Sequence, residues 1–165
     1  MKTGVNSDYE GRDEVMPETK TDEKLIGYCG LYCGDCQGFK GIIPDLARDL
    51  RKELRAAKYG KFAEVISATG FAKELADFDK AYAALGAMVR FRCRRACRGG
   101  GGSPYCQVRV CSQERELEGC WECDEFESCA KLEFLKAIHA DGHLKNLRTI
   151  KKKGKEAFLA GKRHW

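Results

Sequence analysis

No stretch of this 165-residue chain is apolar enough and long enough to span a bilayer, and residues 1–24 contain no hydrophobic run of the kind that directs secretion. The expected setting is therefore a reducing cytoplasm, where a disulfide framework is the disfavoured use of cysteine. The single glycine run, Gly99 to Gly102, is not followed by the Gly-Lys-Ser/Thr that a phosphate loop needs. No internal repeat is visible, and there are only three histidines. These absences remove membrane proteins, phosphate-loop nucleotidases and repeat scaffolds.

What the chain does hold is ten cysteines in short-spaced groups: Cys29-x3-Cys33-x2-Cys36, Cys93-x3-Cys97, Cys106-x4-Cys111 and Cys120-x2-Cys123-x5-Cys129. Two thiolates a few residues apart can reach one ion from a single tight turn, and two such pairs close a tetrahedral site. The pairs expected from spacing are Cys33/Cys36, Cys93/Cys97, Cys106/Cys111 and Cys120/Cys123. They predict two four-cysteine zinc sites, with Cys29 and Cys129 either spare or replacing a pair member. The thiols of Cys29, Cys33 and Cys36 could also join a fourth, such as Cys129, around a four-iron cluster, which makes an iron–sulfur protein in electron transfer or redox sensing the alternative. The C-x3-C-x2-C spacing occurs in radical S-adenosylmethionine enzymes too. Here Asp35 stands where those have an aromatic, and the chain lacks their length and repeated strand–helix units.

Residues 1–24 carry seven acids and four bases and few sizeable apolar groups, a composition expected to form a disordered tail. The remainder, 25–165, is expected to be one cysteine-rich, metal-binding domain. It is basic, and Arg90, Arg92, Arg94, Arg95 and Arg98 around Cys93 and Cys97 are expected to favour thiolate over thiol.

Helical periodicity is clear between the first two cysteine groups. Leu46, Leu50 and Leu54 predict a helix from about Pro44 to Lys58. Phe62, Val65, Ile66 and Thr69 predict a second that stops at Gly70. Phe78, Ala81, Tyr82, Leu85, Met88 and Val89 predict a third, capped by Asp77. These stripes are expected to be core. From Cys93 to Cys129 the period is lost, and the segment reads as metal-held loop with a short strand at Gln107 to Val110; the glycine run would let backbone amides approach thiolates. Ser128 is expected to cap a helix bearing Leu132, Leu135 and Ile138. Asp141 should cap another bearing Leu144, Leu147 and Ile150, with a kink or end at Gly154, and Phe158, Leu159 and Trp165 should pack back on the body. The fold class is mainly α with little β. Chelation should on this view abolish protection from Cys93 to Cys129 while sparing the helices.

Two further features read as ordinary. His139 and His143 read as surface or capping residues rather than ligands. The cations Lys145, Arg148, Lys151, Lys152, Lys153, Lys155, Lys162 and Arg163 read as a solvated helix face, with weak nucleic-acid binding as the lesser use. No catalytic residue stands out.

The run Tyr28-Cys29-Gly30-Leu31-Tyr32-Cys33-Gly34-Asp35-Cys36 resembles a cysteine-rich prokaryotic family catalogued as domain of unknown function 3795. The likeness continues through Cys93 and Cys97, the glycine run, Cys106-Gln-Val-Arg-Val-Cys111 and Cys120-Trp-Glu-Cys123-Asp-Glu-Phe-Glu-Ser-Cys129 to nearly the whole chain after Leu25. Many members have Cys-x-Gly-Cys where this chain has Cys93-Arg-Arg-Ala-Cys97. The resemblance implies metal binding and a prokaryotic, often anaerobic, source, and no activity. The function expected is that of a structural zinc protein with a protein partner.

Overall fold

A computed structural model of the chain describes residues 22–165. The expected tail lies outside the described residues as far as Thr21, but its last three residues belong to the fold. Asp22 accepts from the Lys24 amide at 2.8 Å to cap a single 3-10 turn, Glu23–Leu25, and its own amide donates to the Tyr32 hydroxyl at 3.1 Å.

Among the described residues the protein is mainly α, and β structure amounts to an isolated antiparallel bridge between Ile26 and Tyr32. An arm of four helices comes first: α1 (Gln37–Lys40), α2 (Ile42–Ala56), α3 (Tyr59–Ala68) and α4 (Phe78–Arg90). The three longer ones are those that periodicity predicts. Pro44 sits in the first turn of α2, where its missing amide costs nothing, and Gly70 follows α3 in the left-handed conformation. Asp77 occupies the N-cap position of α4 but makes no side-chain capping bond.

The arm does not bury its stripes as expected. Its long helices bury only Pro44, Ala47 and Ala63, while Leu46 is 64 % exposed and Phe62, Val65 and Met88 also face solvent. The reason is thickness. α2 packs chiefly on α4 with α3 against both, and among the described residues no element outside the arm packs extensively on the outer faces of these three helices. Its interior is a half-buried aromatic row, Tyr59, Phe78 and Tyr82, with ring centroids 5.5 and 5.8 Å apart and the Arg51 guanidinium 4.0 Å above Tyr82.

The core lies in the body, where the sequence shows the least periodicity. Ile26, Leu31 and Tyr32 before the arm meet Val108, Trp121, Phe126, Leu132 and Leu135 after it, all against the C-terminal helix. The stretch expected as a strand is helix α5 (Gln107–Glu114). Val108 and Val110 suggest β propensity, but burying Val108 together with Ser112, one turn on, decides for helix.

Ser128 does not cap a helix: 3-10 turns run Phe126–Ser128 and Ala130–Leu135, with Cys129 between them, before the single turn of α6 (Lys136–His139), and Ile138 is 80 % exposed. The last helix, α7 (Gly142–Ala160), has Asp141 at its N-cap position but without the expected side-chain capping bond, and it brings Leu144, Leu147 and Ile150 into the core. Gly154 breaks it with φ 82° and ψ 169°, a conformation closed to other residues, and this bend returns Phe158 and Leu159 to the core. Trp165 remains about half exposed, its ring edge-on to His139 at 4.8 Å.

Candidate metal centre

The arm is an insertion between two cysteines. It leaves the body after Cys36 and returns at Cys93, whose amide donates to the Gly38 carbonyl at 2.9 Å. A Cβ on Gly38 would stand 2.6 Å from the Phe91 carbonyl, so only glycine lets the outgoing and returning chains lie this close. Arg92 clamps the junction, with one guanidinium nitrogen donating to the carbonyls of Gly38, Phe39 and Cys93 and another pairing with Asp45 at 3.3 Å.

Two cavities between them have all ten cysteines on their walls, and Cys93 also lines a third, of about 590 Å3, with Arg90, Arg92, Arg94 and Arg95. One of the two, of about 900 Å3, is lined by Cys29, Cys33, Cys36, Cys93, Cys97 and Cys106. The other, of about 260 Å3, is lined by Cys111, Cys120, Cys123 and Cys129. The division differs from the spacing pairs. Cys106 and Cys111 part company because Cys106 is the N-cap of α5 and Cys111 lies inside it, and five residues along a helix turn the direction by about 140°. Cys29 and Cys129 each share a cavity with other cysteines, and Cys129 lies apart from Cys29, Cys33 and Cys36. Among the described residues no three Cys, His, Asp or Glu side chains already stand in ligating geometry around one point. The thiols share walls, and holding an ion would require their sulfurs to be drawn together.

Contacts within the larger group are close. The Cys97 amide donates to Cys33 Sγ at 3.3 Å, and a Cβ on Gly101 would lie 2.9 Å from Cys93 Sγ and 1.7 Å from the Arg95 carbonyl oxygen. The glycine run thus admits a close approach rather than supplying donors, since the amides of Gly100 and Gly101 bond to the carbonyls of Cys97 and Ala96. In the smaller group the Ser112 hydroxyl lies 3.9 Å from Cys120 Sγ, and Arg115 donates to Cys123 Sγ at 3.3 Å. Such neighbours orient and charge-balance a thiolate.

Burial governs the thiols. It pushes Cys29 up to about 12, against the opposing pull of the Leu31 amide, and the nearby thiols Cys97, Cys106 and Cys120 add to the rise. Cys33 and Cys120 are pushed up to about 11, again mainly by burial. Cys97 is raised by burial although Arg109 and Arg98 pull it down. The arginine cluster therefore does not leave Cys97 as a free thiolate, and a bound cation would have to displace protons.

The arginines have another role, which sequence analysis missed. Arg98 donates to the carbonyls of Ile26 and Glu118, at 2.9 and 2.8 Å, and lies over Tyr28 and Trp121. Buried Arg109 donates to the carbonyls of Gly101 and Ser103 at 2.7 Å each. Each fixes a loop that carries cysteines by satisfying carbonyls that no regular ladder reaches. The visible signal was the arginine cluster around Cys93 and Cys97, read there as favouring thiolate over thiol, and Arg109 between Cys106 and Cys111. Asp35 is likewise structural, pairing with Arg163 at 2.8 Å.

His143 is a correction: it is fully buried, with neither ring nitrogen hydrogen-bonded among the described residues, and burial lowers its pKa. Four of the eight C-terminal cations are paired, Arg148 with Glu127, Lys151 with Asp124, Lys155 with Glu23 and Glu118, and Arg163 with Asp35. No described helix is long and apolar enough to cross a membrane.

The chain belongs to the family described as protein of unknown function (DUF3795), whose model matches residues 25–134. The match spans the arm and all ten cysteines and stops before α6 and α7, so it is shorter than the likeness read from the sequence. No curated protein and no solved structure matches the chain.

Proposed function

We propose that this member of the DUF3795 family is a thiolate metalloprotein in which zinc ions staple a small helical scaffold that contacts a protein partner. The observation that carries the reading is the partition of all ten cysteines between two cavities, neither of which has a histidine on its wall. A donor set dominated by thiols, with Glu125 the one carboxylate on the wall of the smaller cavity among the described residues, suits a soft or borderline cation such as Zn2+. The smaller cavity, with four thiols and the Ser112 and Arg115 contacts beside them, fits a closed structural site. Cys111, Cys120, Cys123 and Cys129 would hold that ion, and the other six thiols would tie the two ends of the arm to the body.

The partner is read from the arm. Ile42, Ile43, Leu46 and Leu50 on α2 and Phe71 after α3 are exposed, a concentration of apolar surface that suits protein contact. Nucleic acid is the weaker reading, because half of the C-terminal cations already face acids of this chain. Zinc binding is tested by metal analysis and a visible spectrum of protein purified anaerobically and reduced. The expected sample is colourless and carries zinc. A brown sample containing iron and acid-labile sulfide would replace this reading with an iron–sulfur protein, and metal-free protein that keeps its fold would overturn metal binding altogether.

A further inference from the structure

We infer that the six-cysteine cavity is a two-metal site, in which two zinc ions share bridging thiolates, so that the chain holds three ions rather than two. The inference rests on the zinc reading above and goes beyond it in stoichiometry and in the kind of centre.

Six thiols line one continuous cavity, and among the described residues no carboxylate or imidazole lines it with them. One tetrahedral ion would leave two of these sulfurs without a role. Two tetrahedral ions need eight coordination positions, and six thiolates supply them when four bind terminally and two bridge. The smaller group of four closes a single tetrahedron, so the ten cysteines divide with none left over.

Size and charge agree. The six-thiol cavity, at about 900 Å3, is more than three times the about 260 Å3 of the four-thiol one. Two Zn2+ on six thiolates form a unit of charge −2, the same as one Zn2+ on four, and the cations Arg109 and Lys131 on the cavity wall, the latter shared with the smaller cavity, are opposite to it in sign. Position supplies a reason for a larger centre. Cys29, Cys33 and Cys36 precede the arm and Cys93, Cys97 and Cys106 follow it, so a cluster that draws on both trios fastens the two chain passages at the arm's base.

The test is native mass spectrometry of the full chain purified in the reduced state with zinc, together with cadmium-113 NMR of the cadmium-substituted protein. Three ions per chain are expected, with two of the three cadmium resonances showing cadmium–cadmium coupling through bridging sulfur. The double variant Cys111→Ser/Cys123→Ser should lose one ion and keep that coupling. Cys29→Ser/Cys106→Ser should also lose one ion and abolish the coupling. Two ions in the unaltered chain with no coupling would overturn the two-metal site and leave the zinc reading standing. Zero ions would remove both. Four irons with four sulfides at this site would overturn both in favour of an iron–sulfur cluster.

Discussion

The arm, residues 37–92, and the body that surrounds its two ends are built on opposite terms. The arm has the strong helical periodicity and almost no fully buried large side chain, whereas the body has little periodicity and contains the core, with Phe158, Ile26 and Leu147 at 0 % exposure. An apolar stripe at helical spacing therefore identified helices without identifying a core. The arm helices pack only on one another among the described residues, so the side chains beyond those contacts stay in water. The body solves the same problem with three chain segments converging on α7, and turns and 3-10 helices serve there as well as regular ones.

The contrast can be broken most directly by truncating the core. Phe158→Ala should cost about 3–5 kcal/mol and unfold body and arm together in urea denaturation, because it removes a fully buried aromatic from the junction of α7 with the segments on both sides of the arm. Leu46→Ala, on an exposed α2 position, should stay within about 0.5 kcal/mol. Similar losses for the two would mean that the arm's outer face is buried in the folded protein and that the comparison is false.

Metal removal should act next most strongly, and in the opposite sense to the one the periodicity suggests. A cross-link between Cys36 and Cys93 closes a loop of nearly sixty residues, for which chain entropy alone is worth about 4 kcal/mol. Chelation under reducing conditions should therefore strip amide-exchange protection first from α2 to α4, while Leu147 and Ile150 on α7 stay protected by the core. Loss confined to residues 93–129 with the arm intact would restore the earlier expectation and show that the arm is stable by itself.

A smaller effect sharpens the same point at the arm's base. Arg92→Ala removes the hydrogen bonds to Gly38, Phe39 and Cys93 and the contact with Asp45. It should cost about 2 kcal/mol, read as faster exchange in the arm, with zinc content and core protection unchanged. Equal acceleration across α7 would place Arg92 in the body's own stability rather than at a junction.

Much of the fold was legible. The three long arm helices and the break of α7 at Gly154 follow from local rules of period and backbone freedom, which need no knowledge of the rest of the molecule, whereas Asp77 and Asp141 mark helix starts without making the expected capping bonds. The misses have one cause. α5 was read as a strand, Ser128 as a cap and His143 as a surface residue because each outcome depends on what packs against the segment from far along the chain. The candidate site shows the same limit: the cysteines were plain, but Cys106 and Cys111 look like a pair only until a helix turns them apart.

By itself, then, the sequence determined that the chain is mainly helical, where its long helices run and that its cysteines come in short-spaced groups, because each of these is set by residues within a few turns of one another. The tertiary structure alone decided where the core lies and how the ten cysteines divide. Both depend on bringing Cys36 back beside Cys93 and laying α7 across the segments on either side of the arm, contacts between residues tens of positions apart that no local pattern records.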